Sequence, residues 1–518
     1  MTNNQAGLEI NKSSTTSSQQ FEDVDIEKTN LQQQTASHEL KTESEKKLQT
    51  DQLAQELGIN ERKLTWKLDV CIVPPFVLLY FLAFLDRINI SNAKVYGMAE
   101  DLNLKGNEFN VALTIFFVPY VFFEIISNHL MKKISPHIWL SGCILLFGIV
   151  TLAMGFVKNY SGLLACRFFL GVFESATFPG IFYILSTYYT GAESQKRFSS
   201  FFSCTCLAGA AGGAIAFKIH DLDGTHGYGS WQWIFIIEGT FTAGLAFLLF
   251  FIIPDFPENA RFLNANEREF VKRKLEIHSV SSGLEIKYSF KDSLKSFKDP
   301  LYALTALAYF GLIIPSYGYA YFSPTIIKEM GYTAQNANQH SVYPWLAAFG
   351  YTNIIAVISD LTKLRSPFAI SSALIAIVGL SLVLGLVDNA NGRYAGCFLV
   401  ATGLYSSMPS LVCWTALNFG GHMRKSLGTA NQVGFGNIGG IVSTFIFLAV
   451  DAPRYVKGLS IGIAFTVFSI LMMLIMIGIY QRRNSIKKSD GYRSEYFKQS
   501  DRDIVLGGDK HPAFKYLY

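Results

Sequence analysis

Charge is scarce in this chain. Only 16% of its 518 residues are Asp, Glu, Lys or Arg, and half are apolar, whereas roughly a quarter of a soluble protein is charged. That shortage excludes an ordinary soluble globular protein. Cysteine is scarce as well. The seven, Cys71, Cys143, Cys166, Cys204, Cys206, Cys397 and Cys413, are an odd number, lie in apolar stretches and lack metal-ligand spacing. A disulfide framework and a metal site are therefore not expected. No phosphate loop and no nucleophile–base arrangement occurs, so neither an enzyme nor a bound cofactor is expected. The net charge of +5 is small, and Lys and Arg beside apolar runs have a membrane explanation, which argues against a nucleic-acid partner. Residues 1–67, rich in Gln, Ser, Thr, Glu and Lys, lack the apolar core of a signal peptide. The first span is then expected to act as the targeting segment.

What the sequence does contain is a series of long apolar runs. Three polar stretches, 1–67, 254–299 and 482–518, hold most of the charge. The remainder divides into runs of the length that crosses a hydrocarbon core as a helix, about 20 residues. Helices are predicted at 70–92, 109–131, 138–157, 161–188, 199–219 and 231–253, then at 301–327, 340–359, 367–387, 394–419, 429–450 and 458–480. Runs this long and continuously apolar do not fit a barrel, which alternates over about ten residues per strand. The expected fold is an all-α integral membrane protein with twelve transmembrane helices in two six-helix halves.

The short loops set the expected orientation. Those after even-numbered spans carry Lys132 and Lys133, Lys196 and Arg197, Lys363 and Arg365, and Arg424 and Lys425, and the tail opens with Arg482, Arg483, Lys487 and Lys488. By the positive-inside bias both termini and the connector are cytoplasmic. The expected organisation is a disordered N-terminal tail (1–67), a first half (68–253), a cytoplasmic connector (254–299), a second half (300–481) and a C-terminal tail (482–518). In transporters built from two such halves, the substrate sits near the midplane between them.

Charges inside spans are expensive and are candidates for function. Asp86 and Arg87 lie late in the first span, and Arg167 and Glu174 in the fourth. The first span runs outward and the fourth inward. This puts Arg87 roughly 24 Å from the inner surface and Arg167 roughly 9 Å from the outer surface of a core about 30 Å thick, at similar depth. An arginine fork suits a carboxylate, through paired charge-assisted hydrogen bonds. Arg167 and Arg87 are thus candidates for substrate binding, and Asp86 and Glu174 for proton coupling; salt bridges that only pin helices are the structural alternative. Glu124 and Glu238 are weaker candidates of the same kind. His422 is read as an interfacial residue. Tyr317, Tyr321, Trp345 and Tyr405 could stack on a substrate ring, although core or lipid-facing roles are commoner for such residues. Gly434, Gly436 and Gly439 match a dinucleotide-binding pattern but lie within a span without a preceding strand. Together with Gly209 and Gly213 they read as points of close helix approach. Pro119, Pro179, Pro315, Pro344 and Pro409 read as kinks.

The segments "LDRINISNA", "RFFLGVFESATFPG", "WQWIFIIEGTFTAG", "IIPDFPENARFL" and "GDKHPAFKYLY" resemble the fungal allantoate permease-like branch of the anion:cation symporter family, in the major facilitator superfamily. The resemblance extends from about residue 65 to the end, and "KLRSPF" and "PRYVKGLSI" are most similar to its nicotinate-carrying members. It implies a proton-coupled importer of a small organic monocarboxylate working by alternating access, with nicotinic acid the first expectation and pantothenate, biotin, allantoate or a sulfur-containing acid the alternatives. It also implies roles for Asp86, Arg87, Arg167 and Glu174 in substrate binding and proton coupling, and a plasma-membrane location. Ser91 stands where the family commonly has Gly, and "NHLMKKISPHIW" is a degenerate form of the loop between helices 2 and 3. Asp360 and Arg365 in "SDLTKLR" are retained, which favours a gating role for the later loop. The expected partners are a carboxylate, protons and the lipid bilayer, with the chain monomeric. A non-transporting nutrient receptor on the same fold is the rival reading.

Overall fold

A computed structural model describes residues 43–278, 298–420, 422–489, 491, 492, 494, 508–512 and 514–518. Residues 1–42 of the expected tail, 279–297 of the connector and the side chains of Lys132, Lys196 and His422 lie outside the described residues.

Twelve long helices follow in chain order. They are α1 (Glu61–Val95), α2 (Glu108–Ile134), α3 (Pro136–Met154), α4 (Tyr160–Tyr188), α5 (Gly191–Ile219), α6 (Ser230–Ile252), α7 (Pro300–Lys328), α8 (Ala334–Thr362), α9 (Ser366–Gly385), α10 (Ala390–Asn418), α11 (His422–Thr444) and α12 (Val456–Ile486). The described residues contain no strand. The predicted runs are helices because their apolar stretches are long enough to span, and five of them begin at a residue that caps the first turn. The side chains of Asn60, Asn159, Asp299, Thr333 and Asn389 accept hydrogen bonds from the first turns of α1, α4, α7, α8 and α10, satisfying donors the helix itself leaves free.

Among the described residues, ten of the twelve are long and apolar enough to cross a membrane. The other two, α2 and α11, pack against each other. Their polar residues meet there: Asn437 Nδ2 donates to Glu124 at 3.1 Å, and the Thr114 and Thr444 hydroxyls are 2.6 Å apart. Elsewhere the bundle turns apolar side chains outward, including Phe241, Phe247, Leu248 and Phe251 on α6 and Leu471, Leu474 and Ile475 on α12. Apolar surface on that scale needs lipid or a partner to cover it.

The first six helices and the last six meet where α5 packs on α8 and α10, α2 on α11 and α1 on α7. Small residues permit these approaches. A Cβ on Gly209 would fall 2.4 Å from the Trp345 ring, one on Gly213 2.6 Å from Ser341 Oγ, and one on Gly440 2.4 Å from the Phe117 ring. The Gly434–Gly439 run is helical, and a Cβ on Gly436 would meet Tyr309 at 2.5 Å. Gly436 and Gly439 are packing surface, whereas Gly434 has nothing within 4 Å of its would-be Cβ and is no point of close approach.

Several expectations need correction. The last part of the 1–67 tail is ordered: residues Glu43–Glu56 form a helix, and α1 begins at Glu61. The connector contains a helix, Ala265–His278, whose Lys274 bridges Glu61 and Glu193 at 2.7 Å each. Residues 508–512 and 514–518 dock against α10 and α12. There Trp414 Nε1 donates to the Leu517 carbonyl at 2.8 Å, and Tyr480 and Tyr516 stack at 5.0 Å. Polarity alone therefore did not identify tails. Of the five prolines, Pro179 lies just after a break in α4 at Ser175–Ala176, whereas Pro119, Pro315, Pro344 and Pro409 sit inside continuous helices.

Candidate functional site: a buried arginine pair between the halves

Adjacent residues on a helix point about 100° apart, and Asp86 and Arg87 accordingly enter different surroundings. Arg87 faces the seam between the halves. Its Nε donates to Glu174 Oε1 at 2.9 Å, its Nη2 bonds the same oxygen, and its Nη1 donates to the Tyr317 hydroxyl at 2.6 Å. Its guanidinium also rests 5.1 Å from the Phe116 ring centroid and 5.0 Å from that of Tyr120. Asp86 is buried beside Thr151 of α3 and Thr242 and Glu238 of α6, and neither of its carboxylate oxygens has a hydrogen-bond partner. Asp86 makes no hydrogen bond to an arginine among the described residues. The two residues are neighbours in the chain, and of the two only Arg87 pairs with Glu174.

Arg167 enters from α4 and is fully buried. Gly171, one turn further along, lets α4 approach α2: a Cβ there would lie 2.1 Å from the Phe116 carbonyl oxygen. The approach brings Arg167 Nε to the Ala112 carbonyl at 3.3 Å and its guanidinium to 5.2 Å from the Phe116 centroid. Both arginines thus rest against one ring, which agrees with the similar depths expected from the opposite directions of α1 and α4. Among the described residues Arg167 Nη1 and Nη2 make no hydrogen bond, the Tyr321 hydroxyl lying beside them, and Glu174 Oε2 makes none either. Glu174 shares a helix face with Arg167, yet its ion pair is with Arg87.

The four expected aromatics separate into two groups. Tyr317 and Tyr321 of α7 stack at 5.9 Å and border the arginines, with Phe117 of α2 packed 5.2 Å from Tyr317. Trp345 and Tyr405 lie together at 4.6 Å, with Phe84 and Tyr319 around Trp345. They have no contact with either guanidinium. Tyr405 is fixed by donating to the Ser316 carbonyl at 3.1 Å. Glu124 bonds Asn437 across the halves, and Glu238 keeps company with Asp86. Asp360 and Arg365 pair with each other in the turn after α8. Among the described residues no cluster of His, Cys, Asp or Glu could hold a metal ion.

The arrangement can bind an anion. Two guanidiniums and one carboxylate lie together in a buried seam, and among the described residues one guanidinium has two donors without a hydrogen-bond partner, the Tyr321 hydroxyl lying beside them. Residues 76–444, most of the bundle, match the profile of the Major Facilitator Superfamily. The chain belongs to that superfamily.

Its relatives agree. It is 34% identical over 460 residues to the high-affinity nicotinic acid transporter of Saccharomyces cerevisiae, covering 88% of this chain and 85% of that one. It is 33% identical over 462 residues to an uncharacterized transporter of Schizosaccharomyces pombe, covering 88% and 90%. Among solved structures, a proton:xylose symporter of the major facilitator superfamily bound to a sugar analogue aligns with a TM-score of 0.62 at 14% identity, over 79% of this chain and 96% of that one. The protein is therefore a multi-pass membrane transporter and not an enzyme.

Sequence reasoning missed Phe116, Phe117 and Tyr120 in this facilitator's site. They belong to the run "TIFFVPYVFFE", where seam-facing and lipid-facing aromatics look alike. The available signal was geometric: Phe116 and Tyr120 are four apart and share a helix face.

Proposed function

We propose that this transporter imports a small organic monocarboxylate together with a proton, nicotinic acid being the favoured substrate, by alternating access of the halves 68–253 and 300–481. The reading includes twelve crossings, cytoplasmic termini, a monomer and a plasma-membrane location. The observation that carries it is Arg167, a fully buried cation whose Nη1 and Nη2 make no hydrogen bond and no ion pair among the described residues, with only the neutral Tyr321 hydroxyl beside them. A buried charge of this kind is costly unless something pairs with it, and a carboxylate accepts both donors at once. The S. cerevisiae relative, a nicotinic acid transporter, supports the choice of acid. The Tyr317–Tyr321 stack offers a flat aromatic wall to a pyridine ring.

Proton coupling follows from charge. With Arg87 and Arg167 positive and Glu174 negative, the empty site carries 2 − 1 = +1. Adding a carboxylate and protonating Glu174 gives 2 − 1 = +1 again, so the empty and loaded sites cross with the same charge. Protonation also frees Arg87 from Glu174 for the substrate. Asp86 and Glu238, buried together without arginine, form a second acidic pair that can take up a proton apart from the substrate.

The test is uptake of labelled nicotinate in a strain lacking its own carrier, with pantothenate, biotin and allantoate as competitors. Accumulation that rises on acidification and is competed by unlabelled nicotinate is expected. Failure of nicotinate with uptake of another acid would replace the substrate, and binding without accumulation would favour the receptor reading.

A further inference from the structure

Helix α1 carries one more cation on the face that bears Arg87. Lys94 lies seven residues further along, about two turns and 10 Å toward the end opposite the one bearing Arg197, Arg365 and Arg424. Its ammonium sits 4.2 Å from the Phe109 ring centroid at the start of α2 and 5.3 Å from that of Phe322 on α7. Its charged neighbours are Glu100, Glu329 and Lys328, none of them in an ion pair with it among the described residues. Lys328 instead donates to the Val95 carbonyl at 3.2 Å.

This cluster closes the seam between the halves. Phe322 stacks on Phe447 at 5.1 Å, and Asn110 Nδ2 donates to the Phe447 carbonyl at 3.1 Å. Opening that end separates Phe322 of the second half from Lys94 and Phe109 of the first. Lys94 then faces the entrance with one ring against it and no paired carboxylate.

We propose that Lys94 is a carboxylate-capture site at the outer mouth, the first of two cationic stations on α1, from which the anion passes to Arg87 and Arg167. The inference rests on the carboxylate-import reading above. An aromatic partner suits such a station. A ring holds an ammonium weakly and does not compete with an incoming anion, whereas a carboxylate partner would have to be displaced by the substrate.

The test compares Lys94→Gln, Lys94→Met and Lys94→Arg with the wild-type chain, all at matched surface expression, in uptake of labelled nicotinate at low and high salt. Met keeps an unbranched apolar stem between the rings, so it serves where Gln fails to reach the surface. Loss of the charge is expected to raise KM about fivefold and to flatten its dependence on ionic strength, as for other steered encounters. Vmax should fall less than twofold, and Lys94→Arg should keep both the wild-type KM and its salt dependence. An unchanged KM in the neutral variants overturns the capture role, as does an equal loss of Vmax in all three, the result expected of a residue that only latches the gate. These outcomes leave the carboxylate reading standing. If the wild type takes up none of nicotinate, pantothenate, biotin or allantoate, the carboxylate reading fails and the capture site with it.

Discussion

Arg87 is ion-paired with Glu174, 87 positions away in the chain, while Asp86 beside it makes no bond to any arginine. The pairing joins α1 to α4 at the level where both arginines meet Phe116. In the proposed mechanism Glu174 and the substrate carboxylate are competitors for the same guanidinium, and a proton on Glu174 decides the competition.

Glu174→Gln removes that competitor's charge while preserving its size. Exchange of labelled for unlabelled carboxylate across the membrane should persist, and the rise of uptake on acidification should disappear. Initial rates between pH 5 and 8, set beside counterflow in the same vesicles, measure both. A wild-type pH profile in this variant would exclude Glu174 as the coupling group.

The seam between α5 and α8 has no room for a side chain at Gly209, whose added Cβ would lie 2.4 Å from the Trp345 ring. Gly209→Ala should destabilise the protein by about 1–3 kcal/mol, the usual cost of overpacking, and should slow turnover. Gly478, inside α12 with nothing within 4 Å of its would-be Cβ, is the control: Gly478→Ala should not lower stability, Ala being the better helix former by about 0.5–1 kcal/mol, and should leave turnover unchanged. Thermal unfolding in detergent and uptake rate are the measurements.

Asp299, just before α7, anchors a network at the basic end of the second half. Burial would raise its carboxyl, but the hydrogen bonds and charges of Arg483 and Arg424 override it and hold the group at about 2. A depressed carboxyl contributes stability above its unfolded value near 4, and the contribution is lost as pH falls from there toward about 2. At roughly 1.4 kcal/mol per unit this is on the order of 2 kcal/mol. Asp299→Asn should lower Tm at pH 7 and reduce the loss of Tm between pH 5 and 3. A variant with the wild-type slope would place the acid sensitivity elsewhere.

The sequence made the helices legible because apolar length and capping residues are local properties. Twelve runs were expected and each is a helix, with α1 beginning at Glu61 and α12 ending at Ile486, where polar turns continue a helix beyond the apolar core. Arg167, Glu174 and Arg87 were legible as intramembrane charges for the same reason. Their partners were not. Whether Asp86 meets Arg87 or Glu238 depends on how α1 is rotated against α4 and α6, which no single helix specifies. Asp509 illustrates the same limit. It reads as part of a polar tail, yet it is fully buried, paired to Arg424 and accepting a 2.6 Å hydrogen bond from the Tyr516 hydroxyl. Lys94 was missed because the apolar run gives out near residue 92, so the lysine reads as a loop residue until α1 is seen to continue to Val95.

The central claim is that Arg167 receives the substrate carboxylate. The direct measurement is uptake of the labelled acid by Arg167→Ala at wild-type surface expression, with Arg167→Lys beside it. Loss of uptake by at least about a hundredfold is expected for Ala, on the order of 3 kcal/mol for a charge-assisted bidentate contact, with only partial recovery for Lys, which cannot supply the fork. Near-normal uptake by Arg167→Ala would contradict the account.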